Sequence, residues 1–113
     1  LVDRKRDMII SGGENIYPAE IESVLLHHPK IHDVGVIGIF DSRLGEVVAA
    51  VIELEPQVEP SSITENEIKH FCEDNLPKYK RPRRIIFADV PRGPTGKIEK
   101  LKLRQSYGGQ QVR

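Results

Sequence analysis

Pro94-Thr95-Gly96-Lys97 sets one lysine at the tip of a short loop punctuated by proline and glycine. Pro94 stiffens the approach by fixing φ, and Gly96 leaves the backbone beside the charge free to turn. An ammonium presented this way is a compact point charge with three donors, suited to phosphate and carboxylate oxygens. A solvated loop lysine has the same local sequence, so the tetrapeptide alone does not separate the two. A second constellation lies near the start. Asp3-Arg4-Lys5-Arg6-Asp7 runs into Met8-Ile9-Ile10, then Ser11-Gly12-Gly13, then Pro18-Ala19-Glu20-Ile21-Glu22. The glycine pair lets another molecule approach the backbone closely, because no Cβ stands in the way. Pro18 suits the first turn of a helix, with Glu20 and Glu22 near its positive end. An ordinary strand-turn-helix shares these features.

The elements that must position these residues follow from periodicity. Residues 8–11 read as a short strand, paired either with residues 1–4 or with the segment after the glycines as an N-terminal β-hairpin. Ile21, Val24, Leu25 and His28 recur at helical spacing and predict a helix over 18–28, stopped by Pro29. Residues 32–40 and 46–54 are apolar and branched, and the turn at 41–45 makes them an antiparallel pair buried on much of both faces. Thr64 and Glu67 form a capping box before a helix to about Asn75, whose stripe is Ile68, Phe71, Cys72 and Leu76. Residues 84–87 supply a third sheet strand, and the Lys97 loop leads into a short helix anchored by Ile98 and Leu101. The expected fold is α+β: a small, largely antiparallel three-stranded sheet flanked by helices, plus the short N-terminal hairpin.

With 113 residues, 38% hydrophobic and 30% charged, the composition is that of one soluble globular domain. No apolar run approaches the roughly 20 residues that a membrane helix needs. The single cysteine, Cys72, excludes an internal disulfide and falls on the apolar side of its helix, which makes it core and not a nucleophile. His27, His28, His32 and His70 show no metal-ligand spacing. Net charge is zero but uneven. Ten of the seventeen basic residues fall within 78–104, where only Asp89 and Glu99 oppose them. Such a segment attracts polyanions or simply solubilises the surface. No helix-turn-helix or zinc spacing appears, and Tyr79 and Phe87 are the only aromatics in the run, which weighs against nucleic acid as the partner.

Taken together, Asp3-Arg4, Gly12-Gly13, Ala19-Glu20-Ile21-Glu22, Asp41 to Glu46, Tyr79-Lys80-Arg81-Pro82, Pro91-Arg92 and Thr95-Gly96-Lys97-Ile98 resemble the C-terminal domain of adenylate-forming enzymes. That family includes acyl-CoA synthetases, the adenylation domains of peptide synthetases, and luciferases. The resemblance covers residues 1–104, and 105–113 read as a tail.

The resemblance implies an ATP-dependent acid–thiol ligase that forms acyl-AMP and then acyl-CoA. ATP, carried with Mg²⁺ in the parent enzyme, and coenzyme A are its substrates alongside a carboxylic acid. It implies a cytoplasmic enzyme, with this chain as a lid that partners a large N-terminal domain and is inactive without it. By motif, Lys97 matches the adenylation lysine, and Arg4 matches an arginine that contacts nucleotide. Arg6 occupies the hinge position, where relatives usually carry lysine or aspartate. Gly12 and Gly13 match the loop along which the pantetheine arm of CoA passes. Ile10 stands where some relatives have a lysine that approaches the adenylate, a contact this chain cannot use, and Asn15 stands where others have arginine, so a phosphate contact there would be weaker. Arg81 and Arg83 are candidates for coenzyme phosphates. The sequence around the glycine pair looks like the fatty-acid and aryl-acid CoA ligase branch. The alternatives are an adenylation fragment serving a carrier-protein thiol and a standalone polyanion-binding module.

Overall fold

The structure is a computed structural model and describes residues 7–108. Arg4 and Arg6 lie outside the described residues. Two short strands, β1 (Ile9–Ser11) and β2 (Glu14–Ile16), form an antiparallel hairpin. Helix α1 (Pro18–Leu25) follows, then the long pair β3 (Ile31–Asp41) and β4 (Gly45–Leu54), helix α2 (Ser62–Asn75), a 3-10 turn (Lys78–Lys80), β5 (Arg84–Phe87) and helix α3 (Lys100–Tyr107).

β4 is the hub. It pairs antiparallel with β3 along its length, touches β1 through Ser11 and Gly45, and pairs parallel with β5 from Ala49 to Ile52. Residues 47–52 are accordingly buried on both faces. The third strand foreseen from the sequence is present, and its direction is parallel because α2 carries the chain back to the start of β4 before β5 begins. The hairpin is not separate; it joins the same five-stranded sheet.

Helices cover both faces. Ile21 and Leu25 of α1 and Ile68 and Cys72 of α2 pack on Val34, Val36, Val48, Ala50 and Ile52, together with Ile9 and Ile16 of the hairpin. On the other face, Leu103 of α3 packs on Ile37, Ile39, Ala49 and Val51. Gly35 makes room for that helix, since a Cβ there would lie 2.6 Å from Leu103 Cδ1.

Three local expectations need correction. α1 stops at Leu25 instead of His28, because the peptides of His27 and His28 turn tightly onto Val24 and Leu25 ahead of Pro29, which disfavours helix in the residue before it. The capping box is not formed. Ser61 is the N-cap and accepts from the Thr64 N–H at 3.1 Å, while Glu67 turns away to pair with Lys30 at 2.5 Å. In α3, Leu101 is 65% exposed and Ile98 precedes the helix; the anchor is Leu103. The inward face of α3 is Lys100, Leu103, Arg104 and Tyr107, so two of its four positions are cations that meet carboxylates, Lys100 also reaching a β3 carbonyl.

β3 is an edge strand, and its open backbone groups are covered by side chains. The Val36 N–H donates to Glu22 Oε2 at 2.9 Å, and the Val36 carbonyl accepts from Lys100 Nζ at 3.0 Å. Lys100 also meets Asp7 and Glu22, and Arg104 meets Asp7 at 2.7 Å. These charges tie the N-terminal entry, α1, the β3 edge and α3 into one cluster.

Candidate functional site

Lys97 sits at the end of a tight reversal. Arg92 and Ile98 form an antiparallel bridge, the Gly93 N–H donates to the Lys97 carbonyl at 2.9 Å, and the Gly96 N–H donates to the Gly93 carbonyl at 2.9 Å. Gly96 has φ +87°, the left-handed region that glycine enters without penalty. Arg92 clamps the reversal from beneath. Its guanidinium forks onto both oxygens of Asp33 at 2.8 Å and reaches the Gly96 carbonyl. The backbone under Lys97 is therefore held, while its side chain is exposed and joins no salt bridge among the described residues. An ordered stem with an uncommitted ammonium is the arrangement a presented cation requires.

The Arg92 hydrogen bond holds the Asp33 carboxyl below the usual carboxylate range, against the opposing effect of burial and with help from the Val34 N–H. A carboxyl depressed on folding stabilises the fold above its unfolded pKa of about 3.9, and that contribution is lost as pH falls through the lower folded value. The clamp is thus intact at neutral pH. In an NMR titration of the chain, Asp33 should titrate below an ordinary aspartate, and Arg92→Ala should raise its midpoint while speeding amide exchange at Gly93 and Gly96. A midpoint unmoved by Arg92→Ala would contradict the clamp.

The glycine pair forms a different surface. Gly12 (φ +57°) and Gly13 (φ +86°) make the turn between β1 and β2. Gly12 donates its N–H to the Leu44 carbonyl at 2.9 Å, and a Cβ on it would meet Leu44 Cδ2 at 3.1 Å. Beyond its chain neighbours, no described residue lies within 4 Å of where a Cβ on Gly13 would stand, so that side of the turn is open among the described residues. Beside the turn is a cavity of about 210 Å³ lined by Ser11, Gly12, Leu44, Lys78, Tyr79, Arg81 and Arg83. Arg81 is partly committed, donating to the Leu76 and Glu73 carbonyls at 2.9 and 3.1 Å at the end of α2. Lys78 and Arg83 supply the remaining positive rim.

These two surfaces stand at opposite ends of the β3–β4 ribbon. The Lys97 loop hangs from Asp33 near the start of β3, whereas the glycine turn rests on Leu44 and Gly45, opposite Asp41 at its end. Eight steps along the strand lead from Asp33 to Asp41, about 26 Å at a rise of ~3.3 Å each. Both motifs are legible in the sequence, whereas their separation in space comes from the pairing of β3 with β4.

The basic run is less basic than its composition. Lys80 pairs with Glu20, Arg92 with Asp33, Lys100 with Asp7 and Glu22, Lys102 with Glu99, and Arg104 with Asp7. The partners of Lys80, Arg92, Lys100 and Arg104 come from the first 33 residues, where a linear charge count does not find them. Burial pushes the Cys72 thiol up to about 11, which leaves it inert at neutral pH. No cluster of three His, Cys, Asp or Glu side chains able to hold a metal ion occurs among the described residues. No helix among them is long and apolar enough to cross a membrane.

The family described as "AMP-binding enzyme C-terminal domain" matches residues 20–97. A long-chain-fatty-acid–CoA ligase, FadD13, from Mycobacterium tuberculosis is 47% identical over 106 residues, covering 93% of this chain and 20% of that protein. A 2-succinylbenzoate–CoA ligase from Bacillus cereus is 48% identical over the same length, covering 93% of this chain and 21% of that protein. Among solved structures, the o-succinylbenzoate CoA synthetase of Bacillus subtilis in complex with its acyl-adenylate intermediate superposes with a TM-score of 0.79 at 38% identity, over 94% of this chain and 21% of that one. The chain thus spans about a fifth of the length of the curated relatives it matches.

Proposed function

Because the chain belongs to the AMP-binding enzyme C-terminal domain family, we propose that it is the lid of an ATP-dependent acid–thiol ligase that makes acyl-AMP and then acyl-CoA. The observation that carries this reading is the separation of Lys97 from the glycine turn. Two surfaces at opposite ends of one pair of strands do not serve one reaction centre at once. A domain that rotates between two half-reactions presents one and then the other.

In the first half-reaction the acid's carboxylate attacks the α-phosphorus of ATP and pyrophosphate leaves. Negative charge grows and shifts on the phosphoryl and carboxylate oxygens. The Lys97 ammonium, held on its clamped loop, neutralises that charge in a site closed to water. Arg4 contacts the nucleotide, and Arg6 is the pivot. In the second half-reaction a thiol attacks the acyl carbon and AMP leaves. The open backbone at Gly12 and Gly13 then lines the path of the pantetheine arm, and Lys78 and Arg83 in the adjoining cavity meet the phosphates of CoA.

That positive rim favours free CoA over a carrier-protein thiol, whose arm brings no nucleotide. Pairing of half the basic run with carboxylates disfavours a standalone polyanion-binding module. The two relatives named above carry different acids in their names at nearly equal identity, so acid selection belongs to the large domain, this chain's proposed partner. We place the reaction in the cytoplasm, where ATP and CoA are both supplied.

The test uses the chain joined to its large domain, with acid-dependent pyrophosphate release and CoA consumption measured separately. Both are expected in the joined enzyme and neither in the 113-residue chain alone. A joined enzyme that releases no pyrophosphate with any of a panel of fatty and aryl acids would refute the ligase reading.

A further inference from the structure

We propose that Glu46 is a positioning residue for the glycine turn, acting through the backbone of Ile10 in the thioester-forming step. The proposal rests on the ligase reading and adds a residue to it.

The hairpin that carries Gly12 and Gly13 has strands of only three residues and a single paired position on β4, Ser11 with Gly45. A short two-stranded hairpin is marginal by itself and needs external support. Ile9 and Ile16 provide it on the buried side. On the β4 side the backbone ladder ends at Ser11, and the Ile10 N–H donates to Glu46 Oε1 at 3.1 Å. A carboxylate thus takes the place of the missing ladder acceptor, and hydrogen bonds to charged acceptors are stronger than neutral ones. Together with the Gly12 N–H on the Leu44 carbonyl, this holds the turn's leading strand on both sides of Ser11.

Gly38 shows that this carboxylate has a place made for it. A Cβ on Gly38 would lie 2.8 Å from Glu46 Oε2 and 2.9 Å from its Cδ. The backbone of Gly38 is not in the left-handed region, so conformation does not demand glycine here. The missing side chain leaves the space in which the carboxylate turns towards Ile10. Asp41 sets the other end of the same support, accepting from the Leu44 N–H at 2.7 Å and so fixing the carbonyl-bearing residue that holds Gly12. The bland alternative for Glu46 is a solubilising charge near a sheet end. It explains neither the hydrogen bond to Ile10 nor the void at Gly38.

The consequence is selective. A thiol arm threading past Gly12 and Gly13 depends on where the turn stands, and misplacement of about 1 Å in a reacting geometry can cost on the order of 10²-fold. Lys97, at the far end of the ribbon, does not depend on it. In the joined enzyme, Glu46→Ala and Gly38→Ala should each slow CoA consumption from pre-made acyl-AMP by about ten- to a hundredfold. Pyrophosphate release should stay within about threefold of wild type, which also reports that the variants fold. Glu46→Gln keeps an oxygen acceptor for the Ile10 N–H and should restore most of the second step. In the 113-residue chain, Gly38→Ala should speed amide exchange at Ile10. Equal loss in both half-reactions, loss in neither, or Glu46→Gln falling as far as Glu46→Ala would overturn the proposal. A wild-type joined enzyme that releases no pyrophosphate refutes the ligase reading instead. Ile10 exchange needs no turnover and then decides alone: exchange unchanged by Gly38→Ala overturns the contact.

Discussion

Replacing Lys97 with alanine in the joined enzyme is expected to slow acyl-AMP formation by about 10²- to 10³-fold, the range seen when a single transition-state donor is lost. CoA consumption from pre-made acyl-AMP should fall by less than about tenfold, because the second step is proposed to draw on the other end of the ribbon. The geometry gives the reason. Lys97 is exposed and its loop is held by backbone hydrogen bonds and by Arg92, so removing its side chain disturbs no described contact of the fold. The deficit therefore reports lost charge at the reacting oxygens and not lost structure. Separate assays of pyrophosphate release and of CoA consumption decide the matter. Equal losses in the two would mean that the lysine stays at the centre throughout, and rotation of the lid would be wrong.

The mirror-image result is expected at Gly13. Gly13→Leu should slow the thioester step by about 10²-fold while acyl-AMP formation stays within about threefold of wild type. Beyond its immediate chain neighbours, no described residue lies within 4 Å of where a Cβ would stand, so the new side chain would stand in the open space that the thiol arm is proposed to use. The backbone at φ +86° adds a strain of roughly 1–2 kcal/mol, which Gly13→Ala shares. Comparing the two substitutions separates obstruction from strain. If Gly13→Ala is as damaging as Gly13→Leu, the turn matters for its shape; if only the leucine is damaging, the passage is real. A Gly13→Leu enzyme that loses acyl-AMP formation instead would place the glycine turn in the wrong half-reaction.

Much of the fold is legible in a linear reading because it rests on local rules. The branched runs of β3 and β4 with a polar turn between them announce a hairpin, and the stripe of Ile68, Cys72 and Leu76 announces the buried face of α2. The misreadings share a cause. Thr64 and Glu67 satisfy the pattern of a capping box, yet Ser61 lies three residues earlier and takes the cap, leaving Glu67 for Lys30. Leu101 looks like an anchor until the helix is found to begin at Lys100, whose side chain points to Asp7 and Glu22. Which carboxylate a lysine reaches is settled by proximity after folding, and periodicity is silent on it.

The same division runs through the site. Residue type and order single out Lys97, Gly12 and Gly13 as candidates, because a stiffened loop lysine and a paired glycine turn are local devices defined by a few neighbouring residues. Type and order suffice for the family. The supports are different in kind. Arg92 finds Asp33 across 59 positions, Glu46 finds Ile10 across 36, and Lys100 finds Asp7 across 93. Such pairs are chosen by the sheet's register and by which face each strand turns inward. The same register sets the Lys97 loop and the glycine turn at opposite ends of one ribbon, a distance no spacing along the chain encodes.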